Sequence, residues 1–139
     1  ALIEMHEGEA PMFETISIFR IANAMAVHAG QKQALISQNV ANSDTPGYMA
    51  RDLPDFKTLY RPDDAQVQRA TRAGHLNGAV AGSGMAAPVD RPGTASPDGN
   101  TVSVEQEMLS AVDAGRQHER ALAIYKSALN VLHSTLARS

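Results

Sequence analysis

From Val104 to Leu136 one pattern runs without a break. Val104, Met108, Ala111, Gly115, His118, Leu122, Tyr125, Leu129, Leu132 and Leu136 fall at alternating four- and three-residue steps. Only an α-helix brings such positions to one side, and a stripe sustained over several heptads asks for a partner helix along its length. Ser103 and Gln106 fit a capping box, and Glu105 and Glu107 favour the positive end of the helix dipole. The pattern predicts a helix over 104–138, ~50 Å long. Val112, Ile124 and Val131 lie off the stripe, and this extra apolar width points to more than one neighbour.

A second helix is predicted over 13–42. Phe19, Ala22, Ala26, Ala29, Ile36 and Val40 follow the same alternation, with Gln33 as the polar intrusion, and Ile18, Met25 and Leu35 widen the stripe. Many of these residues are alanine, which lets another helix approach closely but buries little area. Two helices of matched length, with stripes that pair antiparallel, still leave apolar residues on their outer sides. The expected fold is all-α: long N- and C-terminal helices packed as an antiparallel coiled-coil-like pair, with an irregular, partly disordered middle region. Low buried area predicts helices that depend on assembly for much of their order.

Between the helices the chain is punctuated. Asn42 suits a helix C-cap, Pro46 the second position of a β-turn, and Gly47 the third, where type II geometry needs positive φ. Pro54 to Tyr60 and Asp63 to Arg72 are expected as short helices, and the Gly-, Ala-, Pro- and Ser-rich stretch after them as a mobile loop. The organisation read from this is a leader or tag over 1–12, expected to be disordered, a core helix and turn over 13–49, a middle region over 50–100 and a heptad helix over 101–139.

The formal charge is −3. Glu4, Glu7 and Glu9 carry that excess, and the remaining twelve acidic side chains balance the twelve basic ones. A neutral body without a basic stripe argues against nucleic acid. With no cysteine, disulfides and thiolate-ligated metals are excluded. No apolar run approaches the ~20 residues of a membrane span, and no signal peptide is visible.

The search for chemistry comes back empty. His6, His28, His75, His118 and His133 form no i, i+4 pair, and no HExxH occurs. His118 reads as a packed or interfacial residue. The loop Gly82-Ser83-Gly84 imitates a dinucleotide site, but Pro88 follows where a helix should open. Ser37 and Ser43 lack a nearby base, and Asp63-Asp64 reads as a solvated pair. No catalytic residue, metal, cofactor or small-molecule substrate is expected. A soluble adaptor that binds one partner helix remains open on these grounds, with a small hydrolase far behind.

One stretch adds a resemblance. Asn39-Val40-Ala41-Asn42-Ser43-Asp44-Thr45-Pro46-Gly47-Tyr48 resembles the signature N-(I/V/L)-A-N-x-x-T-P-G-Y of bacterial flagellar axial proteins, the rod and hook family. Its motif residues here are Asn39, Ala41, Asn42, Thr45, Pro46, Gly47 and Tyr48. Ala50-Arg51-Asp52-Leu53 with Asp55-Phe56, Thr71 with His75-Leu76, and Asp98-Gly99-Asn100-Thr101-Val102 leading to Glu105 and Glu107-Met108 resemble the proximal-rod members. The likeness covers 13–139, more weakly over 77–97, and Met49 stands where a basic residue is common. A sister subunit of the FlgC type is the neighbouring alternative.

The resemblance implies a non-catalytic structural role in the proximal rod of the flagellar basal body. Such proteins leave the cytoplasm unfolded through the flagellar type III export apparatus, without a cleaved signal peptide, and polymerise in the periplasm. Implied partners are further copies in a homo-oligomer, FlgC-type and later rod subunits, a FliE-type adaptor and the membrane ring protein, with torque transmitted through the rod. Assembly surfaces are expected at Phe19, Ala22, Met25, Ala26, Ala29, Ile36 and Val40 on the first helix. Met108, Ala111, Leu122, Tyr125, Leu129, Leu132 and Leu136 are expected to serve on the second.

Overall fold

Two long helices carry most of the chain whose structure is described, residues 10–60 and 86–138 of a computed structural model. The first nine residues of the expected leader, the expected helix over 63–72, His6, Thr71, His75, Leu76 and the Gly82-Ser83-Gly84 loop all lie outside the described residues. Helix α1 runs Ala10–Ala41 and helix α2 is a single short turn, Phe56–Leu59. Helix α3 runs Val104–Leu136. α1 begins three residues earlier than the stripe predicts, and Pro11 sits in its first turn, where the missing N–H breaks no helical bond. α3 starts at its cap: Ser103 Oγ accepts from the Gln106 N–H at 3.4 Å.

A feature the sequence reading lacked is a small sheet. Strand β1, Arg51–Asp52, pairs antiparallel with strand β2, Val89–Asp90, so that Arg51 opposes Asp90 and Asp52 opposes Val89. Two residues a side give periodicity nothing to register.

α1 and α3 run antiparallel. Asn39 meets Glu107, Met25 and His28 meet Gln117, and the rings of Phe19 and Tyr125 meet edge to face at 5.1 Å. The buried line on α3 is Glu107, Ala114, Ala121 and Ala128, at strict seven-residue steps. On α1 it is Ala22, Met25, Ala29 and Ile36, with His28, Leu35 and Asn39 beside it. Small side chains let the two backbones come close, as alanine-rich helix contacts do.

This rotates the expected seam. Met108, Leu122, Tyr125 and Leu136, read from sequence as the line between the two helices, are exposed, at 64, 43, 45 and 64%. Each of Met108, Leu122 and Leu129 lies one residue past an internally buried position, and one residue is about 100° of helical turn. Both lines share the heptad period; the larger side chains drew the reading, while the smaller ones make the contact. His118, expected to be packed or interfacial, is exposed within the chain.

Candidate functional site, a polar clamp and two apolar flanks

At one end of the pair, α1 stops by its own side chains. The Asn42 amide donates to the Gln38 carbonyl at 2.8 Å, and Thr45 N–H donates to the Asn42 carbonyl at 3.1 Å. The turn follows: Tyr48 N–H donates to the Thr45 carbonyl at 3.2 Å, and Gly47 has φ +72°. Both fit a type II turn with Pro46 and Gly47 at its centre.

The segment entering α3 clasps this turn. Asn100 is 1% exposed; its amide nitrogen donates to the carbonyls of Asn42 and Thr45, at 2.9 and 2.8 Å. Its amide oxygen accepts from Val102 N–H at 2.8 Å. Gly47 N–H donates to the Asp98 carbonyl at 2.9 Å, and Thr101 N–H to the Tyr48 carbonyl at 3.0 Å. Gly99, at φ +85°, lies so close that an added Cβ would come 3.4 Å from the Gly47 Cα. Two backbones cross here, and the positive φ of each, rather than lack of space, is what favours glycine at both positions.

Asn39 is the hub on the α1 side. Its amide nitrogen donates to the Arg51 carbonyl at 2.8 Å and to Glu107 Oε2 at 3.2 Å. Its oxygen accepts from Arg51 N–H at 3.0 Å and the Tyr48 hydroxyl at 3.2 Å. That uses all four hydrogen-bonding positions of the amide. Glu107, 0% exposed, takes the Arg91 guanidinium on its other oxygen, while the same guanidinium reaches Asp52 at 3.5 Å. Arg91 N–H donates to the Ala50 carbonyl at 2.8 Å. Glu107 is therefore far more than a dipole-complementing residue of a first turn. Sequence reasoning missed it and Arg91; the signal it carried was a seven-residue step from Ala114, Ala121 and Ala128.

A second tether lies further along. His28 Nε2 donates to the Pro54 carbonyl at 2.8 Å, and Nδ1 accepts from the Gln117 amide at 2.9 Å. Gln117 also donates to the Met25 carbonyl at 3.0 Å, and the Phe56 ring stands edge-on to His28 at 5.7 Å. The Gln31 amide receives the Ala86 N–H and donates to its carbonyl, as a paired strand would. Among the described residues, every buried side-chain nitrogen and oxygen has a partner. Such a network fixes geometry.

Of the turn-motif residues, Asn39 is buried at the hub, Asn42 and Tyr48 are half-buried, and Ala41, Thr45, Pro46 and Gly47 are exposed. On α1, Ala22, Met25, Ala29 and Ile36 face α3, Phe19 and Ala26 are half-buried at one side, and Val40 is exposed. On α3, Ala111, Leu129 and Leu132 are half-buried beside the exposed Met108, Leu122, Tyr125 and Leu136. The exposed members of α3, with Leu129 beside them, make one flank of the pair. The opposite flank, toward the open end, is a groove of about 560 Å³ lined by Ile18, Ile21, Ile124 and Val131, with Arg120 at its wall.

Among the described residues no group of three His, Asp or Glu side chains could hold a metal ion, and no helix is long and apolar enough to cross a membrane. A clamped helix pair with apolar flanks and a fully paired polar interior is a structural building block. No family model matches the sequence. Curated relatives do. The chain is 34% identical over 117 residues to the flagellar basal body rod protein FlgB of Escherichia coli (strain K12), covering 75% of this chain and 84% of the relative. It is 32% identical over 103 residues to FlgB of Cereibacter sphaeroides (73% and 80%), and 26% identical over 129 residues to FlgB of Agrobacterium fabrum (90% and 96%). The chain belongs to the FlgB family of flagellar basal body rod proteins.

Proposed function

We propose that this chain is a non-catalytic structural subunit of the proximal rod of a bacterial flagellar basal body, assembling through the two apolar flanks of its helix pair. Two-sidedness is the observation that carries the reading. An adaptor for one partner helix needs one apolar face. Here Met108, Leu122 and Tyr125 lie exposed on one side, and the Ile18–Val131 groove opens on the other. A subunit with unlike contact surfaces on two sides builds rings or helical tubes.

On this reading its neighbours are further copies, FlgC-type and later rod subunits, a FliE-type adaptor and the membrane ring. Of the expected assembly residues, Ala22, Met25, Ala29 and Ile36 are spent on α3 within the chain, and the exposed Val40, Met108, Leu122, Tyr125 and Leu136 are the ones proposed as contacts to those neighbours. The rod stands in the periplasm, reached through the flagellar type III export apparatus without cleavage of a signal peptide. Membership in the FlgB family supports the rod itself; the individual partners and the route rest on the resemblance of the signature segments.

Leu122→Asp tests the packing role. Leu122 is already 43% exposed, so the isolated chain should keep its helix content by circular dichroism. Rods should fail to assemble, and soft-agar swimming should be lost. Normal swimming by the variant strain would refute the role of this flank. Release of the chain from a strain lacking the export apparatus would refute the route.

A further inference from the structure

The apolar contacts between α1 and α3 leave helix register open. The buried line on α3 repeats as Ala114, Ala121 and Ala128, and on α1 as Ala22 and Ala29, continued by Ile36. Sliding one helix past the other by a heptad, about 10 Å, lays alanine on alanine again. The polar groups do not tolerate that slide. Glu107 heads the same line and is held between Arg91 and Asn39. Gln117, nearly three turns further on, binds the Met25 carbonyl and His28. A heptad shift in either direction parts Glu107 from Asn39 and Gln117 from His28, stranding buried polar groups. Arg91 cannot follow freely, because its own N–H is tied to the Ala50 carbonyl.

We infer that the Asn39–Arg91–Glu107 cluster, seconded by Gln117 and His28 and by the Asn100 clasp on Asn42 and Thr45, selects the register of the helix pair, while the alanine rows supply the pairing. This division of labour does not depend on the rod reading. It gives the buried ion pair a specificity role, the use for which buried polar groups are best attested.

The chain has no cysteine, so spin labels at Ser37→Cys and Glu119→Cys, both exposed, report register by pulsed dipolar spectroscopy without further changes. The labelled chain should give one distance. With Asn39→Leu, Arg91→Met, Glu107→Leu and Asn100→Ala added, helix content should persist and a second distance, displaced by about 10 Å, should appear. The polar pair Arg91→Gln with Glu107→Gln should hold the single distance. One unchanged distance in the apolar variant overturns the inference. Loss of its helices does so too, since the alanine rows would then not suffice for pairing, as would a second distance in the polar variant.

Discussion

Asn100 shows how much one side chain can organise. Its amide spans the carbonyls of Asn42 and Thr45 and receives the Val102 N–H, tying the end of α1, the turn and the start of α3 at one buried point. Asn100→Ala removes all three bonds and leaves the backbone groups in a site too closed for easy hydration. The expected loss is about 3 kcal/mol, read as a lowered urea midpoint with an unchanged slope. The residues of this turn were legible in the sequence because their chemistry is local: Pro46 and Gly47 announce a turn wherever they fall, and Asn42 a helix end. Asn39 was legible as a motif residue and Glu107 as a helix-start acid, but their joint role was not, because Asn39, Arg91 and Glu107 come from three separate segments of the chain. An asparagine before a helix end and a glutamate after a helix start read as ordinary terminal residues until Arg91 and Tyr48 are placed beside them.

The helices carry an unequal load along their length. Toward the clamp, α1 is covered by α3, β1, Leu53 and the Pro54 carbonyl; toward its start, Met12, Phe13, Ile16 and Ile18 are exposed beside the open groove. Local opening is easiest where buried contacts are few. Amides of α1 in 14–22 should therefore exchange about tenfold or more faster than those in 30–39 in the free chain, by hydrogen–deuterium exchange, and slow on assembly. Uniform protection along α1 would count against this gradient. The existence, length and caps of the helices were readable because one period persisted over many residues. Their contact faces were not, because the Ala121 row and the Leu122 row share that period, and composition alone does not say which row meets the partner inside the chain and which is left for others.

At the scale of the molecule, an alanine-lined contact buries little area per residue, so most of the large apolar side chains on the described helices still face solvent. Association that covers them stabilises the folded form by mass action. The melting temperature of the purified chain should rise by several degrees between about 5 and 100 µM, followed by circular dichroism, and the rise should vanish in Leu122→Asp. A melting temperature independent of concentration would mean that these flanks meet nothing of their own kind.

The clamp stands at one end of the pair. Around Asn39, Glu107 and Asn100 the two rods meet through a dense polar cluster, whereas the groove between Ile18 and Val131 is walled mainly by apolar side chains. Polar bonds gathered at one end and an apolar-walled groove toward the other thus divide two tasks between two parts of the pair. Side chains of the groove wall can therefore be exchanged, and what docks there altered, without touching a single bond of the clamp.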